Sequence, residues 1–412
     1  MSGLFVIFAL ALVSSHGASI PKTQEQVVEE FLYEVDKLGD TGNYTMEFLV
    51  ESNGYPVEVH KVTTSDGYIL TMYRIPKSPY TGKSNGKVAF LQHGILSSSA
   101  DWCVLGAGKA LAFKLSDQGY DIWLGNARGN IWSREHTSLT TKDSEYWAFS
   151  WHQIGAIDLP AMIDYVLEQT GVEKVYYVGH SQGTTVYYVM TSMYPEYNDK
   201  IVVGASLAPI GFVKHMTSPL FQLMAFWSGT LDSLFSIIGL NEFAPTNDFF
   251  RNIVGDVMCK EDSVTQLLCT NALFAICGFS RNQMNTTLLP LLTHYSPGGA
   301  SVKQFVHFGQ EIRSGYFRQY DLGTSGNRKQ YGSRSPPSYD LTKITAPTFL
   351  FYSKNDWLSA EKDVNNLCTG MGSSCKGKVL MSDFAFNHID YLFGIDAPAL
   401  VYNKVISVFA RY

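Results

Sequence analysis

The sequence has few charged residues, and no stretch after the N-terminal apolar run looks like a membrane span. Charged residues make up 17% of the 412 residues, and the formal net charge is −6 without a basic patch or tail. Proteins that bind nucleic acid or anionic membranes by electrostatics carry clustered positive charge, so we expect neither partner. The apolar run at residues 4–13 is too short to span a bilayer, and we expect no transmembrane segment.

Motifs for metal ions and cofactors are also lacking. The chain contains neither a His-Glu-x-x-His sequence nor a Cys-x-x-Cys pair, which are common zinc-binding patterns. No glycine-rich dinucleotide fingerprint follows an apolar segment. We therefore expect a function without a metal ion or another cofactor.

The N-terminal apolar run is followed by small residues at 14–19, which favours a signal peptide over residues 1–18. A buried helix is the alternative for this segment. Six cysteines and two glycosylation triplets, at Asn43 and Asn285, fit an oxidising compartment. We expect a secreted, extracellular protein; a lysosomal destination shares the same signals and stays open.

The fold class predicted from the sequence is α/β with a mostly parallel sheet. Short apolar segments alternate with helical patterns, as in βαβ units. The predicted strands are residues 87–91, 120–124, 174–178, 201–207, 348–352 and 378–381. A hairpin of residues 55–63 and 68–75 precedes them, joined at Ser65-Asp66-Gly67.

One predicted helix lies before the segment at 174–178 and packs on the sheet. Its apolar residues recur at helical spacing: Ile154, Ile157, Ala161, Met162 and Tyr165.

Residues 209–337 interrupt the alternation of strands and helices. The interval is rich in Phe, Leu, Met and Ile with helical patterns, and it follows a predicted core strand directly. We interpret it as a helical cap inserted over the carboxyl edge of the sheet, with the catalytic core at residues 19–208 and 338–412. A separate helical domain unconnected with the site is the alternative.

The pentapeptide Gly179-His-Ser-Gln-Gly183 is a Gly-x-Ser-x-Gly motif. It follows the predicted strand at 174–178 and precedes a predicted helix at 184–193, which is the strand–turn–helix setting of a nucleophile elbow. This setting predicts Ser181 as the nucleophile of a serine hydrolase. An incidental serine in a glycine-rich loop is the alternative.

A serine nucleophile needs a base, and the base is oriented by an acid. In the fold that carries such elbows the order along the chain is Ser, acid, His, and His388 is the only histidine beyond position 307. Asp356 is the best-placed acid because it ends the segment that contains the strand at 348–352, with Asp383 as the alternative. Asp390 is only two residues from His388 and is poorly placed to reach its ring. The other acids in this part of the chain are Asp340, Asp363 and Asp396.

A tetrahedral oxyanion requires two N–H donors. The amide after the nucleophile, that of Gln182, is one candidate. The second candidate is the Ile95 amide, which follows the strand end at His93-Gly94, where glycine permits close approach of the backbone.

These motifs together resemble the acid lipases, the group that contains gastric and lysosomal acid lipases and secreted insect lipases. The matching segments run in order from about residue 45 to the C-terminus: Thr64-Ser-Asp-Gly-Tyr-Ile-Leu, Leu91-Gln-His-Gly-Ile, Leu124-Gly-Asn-Ala-Arg-Gly-Asn, Gly179-His-Ser-Gln-Gly, Leu207-Ala-Pro, Tyr320-Asp-Leu-Gly, Tyr331-Gly, Pro336-Pro-Ser-Tyr-Asp-Leu, Asn355-Asp and Asn387-His-Ile-Asp-Tyr. The resemblance implies an α/β-hydrolase fold, a catalytic triad of Ser181, Asp356 and His388, and an oxyanion hole formed by Ile95 and Gln182.

The resemblance also bears on the cysteines and the cap. It implies a disulfide between Cys259 and Cys269, an unpaired Cys277, and a mobile segment near residues 246–277 that covers an acyl-binding cleft. Cys368 and Cys375 have no counterpart in the family pattern, and we expect a second, short bridge between them. Cys103 then stays free.

The function predicted from the sequence is hydrolysis of lipid carboxylic esters at a lipid–water interface. The substrates are acylglycerols, with sterol esters as further candidates, and the reaction passes through an acyl-Ser181 intermediate. A non-catalytic lipid-binding or storage protein on a lipase scaffold is one alternative, and an esterase for short, water-soluble esters is another. The sequence does not indicate an oligomeric state.

Overall fold

The structure is a computed structural model that describes residues 44–82, 84–223, 225–226, 241–243, 276–278, 280 and 282–412. The predicted signal peptide at 1–18, the glycosylation site at Asn43 and the predicted Cys259–Cys269 bridge lie outside these residues. Most of the segment at 246–277 also lies outside them. These assignments stay predictions.

A mixed, mostly parallel sheet forms the centre of the described chain. Its strands pair in the order β1-β2-β4-β3-β6-β7-β10-β11, and the short β5 pairs with Tyr68 and Ile69 at the start of β2. The strands are β1 (Glu58–Thr63), β2 (Tyr68–Ile75), β3 (Val88–Gln92), β4 (Asp121–Gly125), β5 (Glu135–His136), β6 (Val175–His180), β7 (Ile201–Leu207), β10 (Thr348–Tyr352) and β11 (Cys375–Leu380). Two further strands, β8 (Glu242–Phe243) and β9 (Ala300–Ser301), pair with each other outside this sheet.

The pairing confirms the predicted α/β class. Every pair from β4 to β11 along the sheet is parallel, whereas β2 pairs antiparallel with β1, β4 and β5. The predicted hairpin is present, with Thr63 opposite Ile69 and a turn in which Gly67 has a φ of +98°. The predicted strand at 378–381 begins three residues earlier, at Cys375.

Helices cover both faces of the sheet. They are α1 (Met46–Glu51), α2 (Leu111–Asp117), α3 (Leu159–Thr170), α4 (Gln182–Met193), α5 (Leu289–Tyr295), α6 (Val302–Ser314), α7 (Gly323–Tyr331), α8 (Glu361–Met371), α9 (Asp390–Phe393) and α10 (Asn403–Phe409). Phe90 of β3 belongs to a buried apolar cluster that includes residues of α3, α4 and α8, and its neighbour Leu91 belongs to a second cluster that includes residues of α2 and α10. Since successive strand residues point to opposite faces, β3 is buried on both sides along its whole length.

The helix expected before β6 is present, but the prediction of its buried face is partly wrong. Ile154 and Met162 are buried in the core, whereas Ile157, Ala161 and Tyr165 are only partly buried. The reason is a π-helical turn at Ile154–Asp158, which contains one residue more per turn than an α-helix.

The extra residue rotates the buried face by one position. After Ile154 the next buried apolar residues are Leu159, Met162, Ile163 and Val166. Gly155 permits this packing, since a Cβ at that position would lie 2.6 Å from Cβ of Val189 on α4.

The chain leaves the sheet after β7 and returns at β10, which pairs with β7. The intervening residues are therefore an insertion at the carboxyl end of β7. The described parts of the insertion include α5, α6, α7 and the β8–β9 pair. These helices agree with the predicted helical character, while the limits 209–337 and the role of a cap stay predictions. Among the described residues no helix has the length and apolar character needed to cross a bilayer.

Candidate active site

Ser181 lies in a sharp turn between β6 and α4. The strand ends at His180, the helix begins at Gln182, and Ser181 has φ and ψ of +52° and −122°. Such a backbone conformation costs a non-glycine residue about 1–3 kcal/mol and persists only where the surroundings fix it. The turn therefore presents the Ser181 side chain at the carboxyl edge of the sheet.

The two glycines of the motif are required by close backbone contacts. A Cβ at Gly179 would lie 2.7 Å from the carbonyl oxygen of Gly183, and a Cβ at Gly183 would lie 2.2 Å from the carbonyl oxygen of Gln92. Hydrogen bonds fix the turn as well, because the Ser181 amide donates to Leu207 O at 3.0 Å and the Thr184 hydroxyl donates to Ser181 O at 2.7 Å. The predicted elbow geometry is thus present in full.

Three side chains from distant parts of the chain meet at this turn. Nε2 of His388 lies 2.7 Å from Oγ of Ser181, and Nδ1 lies 2.9 Å from each carboxylate oxygen of Asp356. The relative exposure of the side chain is 4% for His388 and 0% for Asp356. The structure brings together the three residues that the sequence predicts as a triad.

The Asp356 carboxylate is held by backbone donors. Its Oδ1 accepts the N–H groups of Leu358 and Ser359 at 2.9 and 2.8 Å. These bonds fix the plane of the carboxylate, so that the remaining lone pairs face Nδ1 of His388. In this arrangement Nδ1 carries the proton and Nε2 is free to accept one from Ser181.

The alternative acids contact other groups. Asp383 accepts hydrogen bonds from Gln283 and from the Ala385 amide. Asp390 accepts from the Asn387 amide at 2.7 Å, and burial raises its pKa to about 6. Of the candidate acids, Asp356 is the one that contacts the His388 ring.

A compact loop holds His388. Oδ1 of Asn387 accepts the amides of Ile389 and Asp390, and its Nδ2 donates to Gly278 O at 2.8 Å. The His388 amide donates to Cys277 O at 3.4 Å. Residues of the insertion therefore help to place the imidazole.

His180 is a site residue that sequence reasoning missed. Its Nε2 donates to the backbone carbonyl of His388 at 2.9 Å, and the two rings lie 5.0 Å apart. Burial, together with the positive charge that His388 can carry, lowers the pKa of His180 to about 3. A neutral His180 adds no positive charge beside the imidazole that must accept the serine proton.

The loop after β3 brings the Ile95 amide to the elbow. A Cβ on Gly94 would lie 3.0 Å from Cβ of Ser181, so the backbone passes directly beside the candidate nucleophile. The Gln182 amide is in the first turn of α4, where N–H groups have no acceptor within the helix. The positions of both residues fit the predicted oxyanion hole.

Residues after β4 form hydrogen bonds with the loop after β3. Nε2 of His93 accepts the Ala127 amide at 3.1 Å, and its Nδ1 donates to Gly94 O at 2.7 Å. Oδ1 of Asn126 accepts the Ser99 amide at 2.9 Å. Burial lowers the pKa of His93 to about 4, so His93 shapes the loop as a neutral ring.

The cysteines agree with the sequence expectations where the chain is described. Cys368 and Cys375 form a disulfide bond, and Cys103 and Cys277 are free and buried. Asn285 is partly exposed, and its glycosylation stays a prediction. Within the described ranges no group of three or more His, Cys, Asp or Glu side chains could hold a metal ion.

Comparison with known families agrees with this architecture. The profile of the partial alpha/beta-hydrolase lipase region matches residues 46–106, and that of the alpha/beta hydrolase fold matches residues 88–237. A solved structure of the alpha/beta hydrolase GrgF from Penicillium sp. superimposes with a TM-score of 0.51 at 14% identity, covering 86% of this chain and 98% of that chain. The fold and the Ser–His–Asp contact define the class of α/β hydrolases.

Curated relatives narrow the class. Lipase 3 of Drosophila melanogaster is 44% identical over 364 residues, which covers 88% of this chain and 92% of that protein. Gastric triacylglycerol lipase of Rattus norvegicus is 37% identical, with coverage of 90% and 92%. Lysosomal acid lipase/cholesteryl ester hydrolase of Homo sapiens is 36% identical, also with coverage of 90% and 92%. The chain belongs to the acid lipase family and is a carboxylic ester hydrolase of the lipase type.

Proposed function

We propose that the protein hydrolyses lipid esters through an acyl-Ser181 intermediate. One observation carries the proposal: hydrogen bonds run without a break from the Asp356 carboxylate through both nitrogens of His388 to Oγ of Ser181. A serine hydroxyl becomes a competent nucleophile only when an oriented base can take its proton, and this contact supplies that base.

The reaction follows from the same contacts. Oγ of Ser181 attacks the ester carbonyl carbon while its proton passes to Nε2 of His388, and the carbonyl oxygen becomes an oxyanion held by the Ile95 and Gln182 amides. Collapse of this intermediate breaks the bond to the alcohol oxygen, which takes the proton from His388 as it leaves. Water then attacks the acyl-enzyme in the same way, the carboxylic acid is released and Ser181 regains its proton.

The substrate class is supported by the relatives and by the site. Two of the relatives are named for triacylglycerol and for cholesteryl ester hydrolysis, so acylglycerols and sterol esters are the proposed substrates. Ser181 is only 7% exposed, and residues of the insertion contact the loop of His388. A buried site beside an inserted segment suits an apolar acyl chain better than a small polar ester.

The proposed location is outside the cytosol. A disulfide bond between Cys368 and Cys375 is typical of oxidising compartments. Together with the predicted signal peptide and the triplets at Asn43 and Asn285, it supports secretion, with the lysosome as the alternative destination.

The test replaces the nucleophile. Ser181→Ala is expected to lower kcat by about 10⁶-fold on emulsified triacylglycerol and on a soluble ester, because no other group can form the acyl-enzyme. The control is Ser407→Ala, at an exposed serine of α10, which is expected to keep full activity.

Labelling with a fluorophosphonate probe separates the enzyme from a lipid-binding protein without activity. The wild-type protein and Ser407→Ala are expected to be labelled, and Ser181→Ala is not. Near-normal ester turnover by Ser181→Ala would overturn the proposal. Parallel assays with triacylglycerol, cholesteryl ester, phospholipid and short soluble esters identify the preferred substrate.

A further inference from the structure

Both predicted oxyanion residues are connected to one short stretch of the insertion. Nε2 of Gln182 donates to Oε1 of Gln304, in the first turn of α6, at 2.6 Å. These side chains are buried, with 4% and 2% of the residue exposed. The remaining amide oxygen of Gln182 has no hydrogen-bond partner among the described residues, so the bond to Gln304 is the polar contact that fixes this side chain.

The Ile95 side of the predicted oxyanion hole is hydrogen-bonded to the same stretch through Leu96. Leu96 follows Ile95 and has a φ of +60°, a conformation that is strained for a residue with a side chain. Its carbonyl accepts the Gly298 amide at 2.6 Å and the Ser296 hydroxyl at 3.3 Å. These two bonds hold the strained residue that directs the Ile95 amide.

The contact at Gly298 is too close for any other residue. A Cβ at this position would lie 2.5 Å from the carbonyl oxygen of Ser97. Backbone therefore packs directly on backbone, which leaves little freedom for the loop after β3.

The stretch is itself anchored in the core. The Ser301 hydroxyl contacts the carbonyl oxygens of Trp147 and Phe149, each at 2.8 Å, and accepts the Lys303 amide at 3.2 Å. Ser301 thereby fixes the start of α6 and the position of Gln304. Because this stretch of the insertion is attached to the core, it can hold the Gln182 side and the Ile95 side of the predicted oxyanion hole in fixed positions.

We propose that residues 296–304, which we term the brace, position both oxyanion donors, and that Gln304 and Gly298 are positioning residues for acyl transfer. The inference rests on the proposed function. Its physical basis is that donors must lie about 2.7–3.1 Å from the position of the oxyanion, so a small displacement of either amide weakens transition-state binding. The insertion thus contributes to the chemical step.

The test removes the hydrogen bond between the two glutamines. Gln304→Met keeps the length and volume of the side chain but cannot accept from Nε2 of Gln182, whereas Gln304→Glu keeps an acceptor oxygen. On a soluble p-nitrophenyl ester we expect Gln304→Met to lower kcat about 10- to 100-fold with KM within about twofold, a smaller loss than deletion of a donor. Gln304→Glu is expected to recover most of kcat.

The control lies on the same helix. Gln310 exchanges two hydrogen bonds with the backbone of Asp321, away from the elbow, and Gln310→Met is expected to leave kcat unchanged. The pH profile of kcat is a second readout, because displaced donors lower the rate at every pH without moving the profile, whereas a disturbed His388 shifts it. A double-mutant cycle with Gln182→Met supplies a third, since two residues that act through one bond give a double variant no worse than either single variant.

The outcomes separate this inference from the proposed function. If Ser181→Ala is inactive while Gln304→Met and Gln182→Met both keep kcat within twofold, the brace is wrong and the function stands. If Ser181→Ala remains active, the proposed function fails first. Should Gln304→Met not fold, Gln182→Met alone decides, because it breaks the same bond from the side of the elbow.

Discussion

The Asp356–His388 pair sets the protonation pattern on which the proposed chemistry depends. Both carboxylate oxygens lie 2.9 Å from Nδ1 of His388, and two backbone amides occupy Oδ1 from the other side. The acid is therefore surrounded by donors, and only an acceptor oxygen suits the position that faces the imidazole. A group that donates there would favour the other tautomer, in which Nε2 carries the proton and cannot accept from Ser181.

Asp356→Asn exchanges this acceptor for a group that can donate to Nδ1. We expect kcat to fall by about 10⁴-fold with little change in KM, because the geometry is kept and the tautomer is wrong. Initial rates on a soluble ester, with the melting temperature as a check on folding, measure the effect.

The chain offers a matched control in a second carboxylate–imidazole pair. Oδ1 of Asp363 lies 2.7 Å from Nδ1 of His215, and Oδ2 accepts the His215 amide. Asp363→Asn is expected to cost stability and to leave kcat within about threefold. A comparable loss of kcat in both variants would show that the Asp356 effect is not specific to the triad.

At the level of single residues, the sequence predicts the reacting groups better than the groups that hold them. Ser181, Asp356 and His388 follow from a local motif, from chain order and from their places at strand ends. The bond from His180 to His388 joins positions 208 residues apart, and that between Gln182 and Gln304 joins positions 122 apart. Contacts of this kind depend on tertiary packing, for which a single sequence carries no local signal.

Among the secondary-structure elements, the strand positions agree with the sequence prediction more closely than the buried face of the helix before β6 does. Two apolar segments, 201–207 and 348–352, coincide with β7 and β10, because a strand buried along nearly its whole length is a short apolar run with clear ends. The helix before β6 departs from prediction at Ile154–Asp158, where the π-helical turn shifts the buried face by one residue. A sequence analysis that assumes a regular period of 3.6 residues cannot predict an inserted residue, and the presence of Gly155 does not by itself indicate one.

The disulfide between Cys368 and Cys375 joins the C-terminal part of α8 to the first residue of β11. Closing a loop with a sequence separation of seven removes entropy from the unfolded chain, a contribution of about 2–3 kcal/mol. We expect a variant with Cys368→Ser and Cys375→Ser to lose about that much free energy of unfolding, measured with urea. Its kcat should equal that of the wild-type protein, because the bridge does not contact the triad.

Reduction of the wild-type protein provides the control for this bridge. A mild thiol reductant should lower the urea midpoint of the wild-type protein to that of the double variant and should not move the midpoint of the variant. A double variant as stable as the oxidised wild-type protein would show that the connection between α8 and β11 is fixed by packing alone.

At the scale of the whole molecule, buried titratable groups among the described residues form two sets. The two sets make the free energy of unfolding depend on pH in opposite directions. Burial lowers the pKa of four histidines: to about 4 for His93 and His152, to about 3 for His180, and well below the usual value for His307. Among the described residues, burial raises the pKa of four carboxyl groups: to about 7 for Asp101, to about 6 for Asp390, well above the usual value for Glu311, and above the usual value for Asp158, where the adjacent Arg128 opposes the rise. The folded protein thus keeps these imidazoles neutral in mild acid and holds Asp101, Asp390 and Glu311 in their protonated forms.

The two sets act on stability in opposite directions between pH 5 and 6. On unfolding, the four histidines take up protons, which makes the folded state less stable as the pH falls below about 6.5. The acids with raised pKa values release protons on unfolding, which makes the folded state less stable as the pH rises from about 4 toward their folded pKa values. The two contributions oppose each other, so the free energy of unfolding should change less across this range than either set alone would require.

Asp101→Asn tests this balance by removing one of the acids. Asp101 is buried, its Oδ2 accepts the Ser97 hydroxyl, and the nearby titratable groups, Cys103 and Tyr402, are kept neutral by burial, which raises the pKa of both. Asparagine keeps the acceptor and cannot ionise. We expect the two proteins to have similar stability near pH 4 and the variant to gain on the wild-type protein by about 1.4 kcal/mol per pH unit up to about pH 7. Urea unfolding at pH 5, 6 and 7 measures the difference, and a difference independent of pH would show that Asp101 is ionised in the folded protein throughout.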